Sequence, residues 1–175
     1  LTMLLTFGYL FFDYLPMALN AMVIYTIMNN MVTMMIGTDR THITYKPESW
    51  NMAKLAKIAF SLAAGWTIIG MLFVWYLNTH GFSHGTVSTM VYVYLVLSAM
   101  LIVLITRTRK YFWQDYPSKL VGSVQIADVL ITFILALFGI AMTQISWTNL
   151  LLTFIIALIA AIVIDLFYQP IMKNR

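Results

Sequence analysis

Residues 87–106 read VSTMVYVYLVLSAMLIVLIT, and Arg107, Thr108, Arg109 and Lys110 follow at once. A helix needs about 20 mainly apolar residues to cross roughly 30 Å of hydrocarbon at 1.5 Å per residue. This stretch has that length and no charge, and its basic end is the mark of a cytoplasmic boundary. Working outward, comparable stretches lie at 17–37, 58–77, 120–142 and 149–168. A shorter apolar piece occupies 1–12 and stops at Asp13-Tyr14-Leu15-Pro16, where proline suits a turn or a helix start.

The composition agrees. Of 175 residues, six are acidic and ten basic, so 9% are charged and 62% are hydrophobic. Mean hydropathy is +0.87. So few charges cannot cover a water-soluble domain of this size. Disorder and nucleic-acid binding fall on the same count, despite a net charge of +4. With no cysteine, disulfide scaffolds, thiolate metal sites and cysteine nucleophiles are excluded. The expected fold is an all-α polytopic transmembrane bundle, one membrane domain with five full spans and a partial first helix. Twelve residues cover only about 18 Å, so the piece at 1–12 is expected to be the end of a helix that begins upstream in a longer chain.

Every basic residue falls in one set of connections. Loop 38–57 holds Arg40, Lys46, Lys54 and Lys57; loop 107–119 holds Arg107, Arg109, Lys110 and Lys119; the tail holds Lys173 and Arg175. The alternate turns around 13, 78–85 and 143–147 hold none. The retention of basic residues on the inner side places both loops and the C-terminus in the cytoplasm. The positive rim then meets anionic lipid headgroups, and needs no nucleic-acid partner. Aromatics at the span ends, including Trp75, Tyr76, Trp50 and Trp113, suit interfacial anchors.

Polar side chains at membrane depth face other helices or a wet cavity. Thr26, Asn30, Thr33 and Gly37 recur at i, i+4, i+7 and i+11, which is one stripe of a helix, with Asn29 beside it. Two adjacent amides near mid-span suit either interhelical hydrogen bonding or an ion path. Gln125, Asp128, Thr132, Gly139 and Thr143 form a second stripe. Asp128 lies about 12 Å in from the cytoplasmic end, so it is either protonated much of the time or met by a donor. That describes a proton carrier, and it also describes a hydrogen-bonded structural acid. Asp165 is expected near the cytoplasmic end within reach of water, sharing a close-packing face with Ala157 and Ala161. His80 and His84 have the i, i+4 spacing of two metal ligands, but Gly81 and Gly85 favour a loop and no metal site is expected. The methionine-rich stretch around Met28, Met31 and Met34 reads as packing filler. No glycine-rich phosphate loop, HExxH or GxSxG occurs, so the chain alone should catalyse nothing.

Several short motifs, in order, resemble the plasma-membrane proton-pumping P-type ATPases. The run Ile27-Met28-Asn29-Asn30-Met31-Val32-Thr33-Met34, then Thr38-Asp39-Arg40, then Lys46-Pro47-Glu48-Ser49-Trp50 resembles the family's sixth transmembrane helix and the loop after it. Ile105-Thr106-Arg107-Thr108-Arg109, followed by aromatics and Pro117, is similar to the turn after the eighth helix. Ile164-Asp165-Leu166-Phe167 resembles a motif of the tenth, and Phe7-Gly8 a pair in the fifth. The resemblance covers the chain from the late fifth helix to the tenth. It implies an absent front part with the phosphorylated aspartate and the nucleotide domain, so Mg and ATP would be held there and no cofactor here. It also implies a plasma-membrane location, an ion path lined by Asn29, Asn30 and Thr33, and a loop with Asp39, Arg40 and Trp50, and with Arg107 and Arg109, facing the soluble domains.

The departures fall at the proton site. Where the family has the proton-carrying carboxylate, this chain has Asn30; where plant and fungal members have an arginine, it has Leu4. Asp128 stands where the family shows an uncharged polar residue. Two readings follow: the membrane portion of a proton- or cation-pumping P-type ATPase, with Asp128 in its ion path, or a non-catalytic, pump-derived subunit packing other membrane subunits.

Overall fold

The computed structural model describes residues 1–36, 52–107 and 118–173. Six helices run through them: α1 (Thr2–Phe12), α2 (Leu19–Ile36), α3 (Met52–Thr79), α4 (His84–Arg107), α5 (Lys119–Phe138) and α6 (Trp147–Lys173). The protein is an all-α polytopic membrane bundle. Four of the helices, α3 to α6, are long and apolar enough to cross a bilayer, and α1 is a short apolar helix. Sequence reading expected five full spans. The fifth corresponds to α2, whose 18 described residues measure about 27 Å against roughly 30 Å of hydrocarbon. Helix α5 also ends sooner than expected, at Phe138 instead of 142. Gly139 takes a left-handed conformation (φ 67°) and its N–H bonds back to the Leu135 carbonyl, which closes the helix.

Helix α4 is the centre. It touches α2, α3, α5 and α6, and from Val87 to Val96 nearly every side chain is enclosed. Its two tyrosines tie it to opposite neighbours. The Tyr94 hydroxyl donates to the Trp66 carbonyl of α3 at 3.0 Å, with its ring against Trp66 and Phe73. The Tyr92 hydroxyl lies 3.5 Å from Thr132 Oγ1 of α5. On the other flank α6 presents Ala157, Ala160 and Ala161, all buried, and α4 is its most extensive partner. Small residues let two helices approach closely, which is how van der Waals contact holds helices together in lipid.

The connections without basic residues share one end of the bundle and interlock there. Tyr14 donates to Asn78 Oδ1 at 2.6 Å and its ring meets that of His84 at 4.4 Å. The Ala18 N–H donates to Ser88 Oγ at 2.7 Å. Thr89 Oγ1 donates to the Thr143 carbonyl at 2.8 Å, and Gly85 leaves no room for a side chain beside Thr143. Segments 13–18, 78–88 and 139–146 therefore lie together, so the spans alternate in direction. Burial pushes the Tyr14 phenol up, which keeps it a donor.

Glycines mark the close approaches. A Cβ on Gly70 would collide with Leu4 of α1 and sit 3.0 Å from Tyr94, whose ring is fixed between Trp66 and Phe73. A Cβ on Gly65 would meet only Ile164, at 3.5 Å, an ordinary contact. Gly70→Val should therefore cost about 1–3 kcal/mol by overpacking, and Gly65→Ala should be neutral or stabilising. Thermal unfolding in detergent measures both, and equal midpoints for the two variants would refute this packing.

Candidate functional site

Two polar faces were expected in the apolar layer, and the fold treats them differently. On α2 the buried side is Ala21 and Val32, with Met22, Ile24 and Tyr25 partly covered. Thr26, Asn30 and Thr33 lie on the opposite, exposed side, and Asn29 is half-buried at its margin. The threonine hydroxyls are satisfied within the helix, Thr26 on the Met22 carbonyl and Thr33 on the Asn29 carbonyl, both at 2.8 Å. The Asn30 amide makes no hydrogen bond with the described residues. A free primary amide has four hydrogen-bonding positions to fill, and lipid offers none.

The α5 face turns inward. Gln125, Asp128 and Thr132 are all buried, at 7%, 6% and 0% exposure. Gln125 Nε2 donates to the Met100 carbonyl at 3.5 Å and Thr132 meets Tyr92, so this face lies along α4 in antiparallel register with Asp128 between the two contacts. Gly139 and Thr143, expected to extend the stripe, are off it, because the helix has already ended at Phe138. Gly139 caps the helix and Thr143 serves the connection to α4. Asp128 Oδ1 is fully enclosed and has no hydrogen-bond partner among the described residues.

Asp165 corrects an expectation. It was read as lying near the membrane surface, yet it is wholly buried and engaged by neighbours. The reason is length: α6 continues to Lys173, about two turns beyond it, so the bundle still surrounds that level. The face shared with Ala157 and Ala161 is indeed buried. His80 and His84 are separated by the turn between α3 and α4, and neither joins a metal-binding cluster among the described residues. The His80 ring packs tilted on Tyr76 at 4.1 Å, and His84 and Tyr14 meet edge to face. Asp39, Arg40, Trp50 and Arg109 lie outside the described residues; Arg107 is the last residue of α4.

Sequence reading missed the aromatic hub. Tyr92, Tyr94 and Trp66 were unremarked, although two tyrosines in the middle of an uncharged span were a usable signal, since buried phenols seek partners. The Trp66 indole N–H is itself buried without a hydrogen-bond partner among the described residues. A groove of about 280 Å³ between α3 and α6, lined by Ser61, Leu62, Gly65, Ile68, Val163 and Phe167, holds no titratable side chain. It is unsuited to an ion.

With this geometry in place, similarity to known proteins is informative. The chain is 28% identical over 135 residues to plasma membrane ATPase 2 of Schizosaccharomyces pombe. The match takes in 69% of this chain and 13% of that protein, so the chain spans about an eighth of its relative's length. No family model matches. This likeness and the four apolar helices together support a membrane-domain role.

Because the chain has no native cysteine, single cysteines report exposure cleanly. In the detergent-solubilised 175-residue chain, cysteines at Thr26, Asn30 and Thr33 should react quickly with a small maleimide, and cysteines at Ala21 and Val32 slowly. The reverse order would place the polar face inside.

Proposed function

We propose that this chain is the membrane portion of a cation-transporting, proton-pump-like P-type ATPase of the plasma membrane. In this reading α2 forms one wall of the ion path, with Asn29, Asn30 and Thr33 facing it. The observation that carries the reading is the outward polar face of α2: two threonines and an amide with no partner among the described residues, in an apolar layer and on the side away from the other described helices. An amide facing hydrocarbon without a partner costs several kcal/mol. Such a face is stable only against further protein or a water-filled passage, and a path built between this wall and helices from the rest of a longer pump supplies both. Likeness to a plasma membrane ATPase supports that setting.

The division of labour follows from chemistry. ATP hydrolysis and its Mg belong to soluble domains outside these residues; this chain contributes the polar surface along which a cation sheds and regains water. Asn30 is an amide, so it offers a carbonyl oxygen to a cation or its hydration shell and cannot itself take up a proton at neutral pH. Asp39, Arg40 and Trp50, with Arg107 and Arg109, are proposed to meet the soluble domains at the cytoplasmic face. Lysine and arginine asymmetry supports a cytoplasmic C-terminus.

The test is ATP-driven ion flux by the full-length protein in vesicles. Asn30→Leu should lower flux about 10-fold or more, the effect of roughly 1.4 kcal/mol on the transporting step, while the protein still inserts and purifies normally. Unchanged flux would remove α2 from the path. Protein that forms a stable complex but hydrolyses no ATP would favour the pump-derived scaffold instead. An impermeant amine reagent should label Lys119, exposed at the start of α5, in inside-out vesicles and spare it in intact cells; labelling in intact cells would invert the topology.

A further inference from the structure

Asp128 lies on a different face from the α2 wall, and this chain alone covers nearly all of it. The side chain is 6% exposed and Oδ1 has no accessible surface and no hydrogen-bond partner among the described residues. Whatever else packs on the bundle cannot reach that oxygen. A carboxylate in such a place needs a cation. Helix α5 packs on α2, α4 and α6. The titratable side chains along these helices are Tyr25 on α2, Tyr92 and Tyr94 on α4, Asp165 and Tyr168 on α6, and the end residues His84, Arg107 and Lys173. On α5 itself Lys119 stands nine positions away, about 13 Å along the helix. Every cationic group on these four helices is thus at a helix end. Of the phenols, Tyr92 lies on the same seam, its hydroxyl 3.5 Å from Thr132 Oγ1 one turn along α5, and a neutral phenol leaves a lone carboxylate uncompensated. An acid that is buried without a counter-charge takes up a proton.

We propose that Asp128 is an occluded proton-binding site: its carboxyl carries a proton at neutral pH, buried between α5 and α4, and exchanges it freely only when these helices part. The ligand is a proton, and Gln125, Thr132 and Tyr92 are positioning residues that hold a polar seam for it in an otherwise apolar layer. This goes beyond the pump reading and does not rest on it, because the protonation state of one carboxyl can be observed without turnover.

The experiment is infrared spectroscopy of the full-length protein in vesicles at neutral pH, as the difference between wild type and Asp128→Asn. The expected difference contains the carbonyl stretch of a protonated carboxyl, and this band shifts slowly on transfer to D₂O. Asp128→Glu should keep such a band at a displaced frequency, which guards against an Asn variant that fails to fold. Asn30→Leu should leave the band unchanged. The thermal midpoint of Asp128→Asn should stay near that of wild type, since a neutral amide replaces a neutral acid. A carboxylate stretch in place of the carbonyl band would overturn the proposal, as would exchange as fast as that of a water-exposed acid. Loss of ATP-driven flux in Asn30→Leu with the Asp128 band intact, and the converse, separate this site from the α2 wall.

Discussion

A helix enclosed on all sides in a membrane cannot send its polar groups to the headgroups, so each must find a partner inside the bundle. Helix α4 is under that constraint, and its neighbours are arranged to meet it. Tyr94 reaches a backbone carbonyl of α3, Tyr92 reaches a hydroxyl on α5, and Thr89 reaches the chain before α6. Each such bond contributes modestly, about 0.6 kcal/mol on average between helices in a membrane. Their larger effect is on register. A slip of α4 by one residue would turn both phenols toward apolar surfaces and leave two buried hydroxyls unsatisfied, a cost of about 1–3 kcal/mol each. Close packing by the α6 alanines and by Gly70 then supplies the attraction that apolar side chains cannot supply against lipid.

The all-α membrane class was legible because it needs only length and charge placement. Residues 87–106 followed by Arg107 carry both, and the same logic extends to the other spans. The polar face of α5 was also readable, since Gln125, Asp128 and Thr132 keep helical spacing on a helix with few other polar groups. What stayed hidden depends on distance in sequence. Tyr14 and Asn78, Ala18 and Ser88, and Thr89 and Thr143 pair across 54 to 70 positions. No periodicity within one helix reports such a pair. The end of α5 was misread for a local reason: glycine is tolerated inside membrane helices, so Gly139 was placed in the stripe and not at a cap. Asp165 was misread because depth was counted from an assumed helix end, and α6 runs further.

The direction of the α2 face is the subtlest case. A polar stripe on a spanning helix has two stable destinations, the interior of its own bundle or a surface covered by something else. The amphipathic pattern is identical in both. Only the packing of α2 on α4 and α5 through Ala21 and Val32 decides between them, and it turns Asn30 outward. The same pattern on α5 goes the other way. One sequence signal thus has two outcomes, set by which side of each helix carries the shape that fits α4.

That difference bears on how protons and cations could be handled. An exposed amide and a sealed acid have complementary defects. Asn30 is reachable but cannot titrate, and Asp128, proposed to hold a proton, is almost out of reach. A group that binds a proton tightly and never meets water moves nothing, while a group that meets water and binds no proton discriminates only by dipole and size. Transport of a proton through this chain would therefore require α5 to separate from α4 during each cycle, breaking the Gln125–Met100 and Thr132–Tyr92 contacts. At 3.5 Å both are at the weak end of hydrogen-bond geometry. Along its length the α4–α5 seam beside Asp128 is thus held by longer polar contacts than the α3–α4 bond at 3.0 Å, although the interlocked end ties the chain after α5 as well. Of the two helices bonded to the tyrosines of α4, α5 is the less firmly held along its length, and the one whose shift costs less.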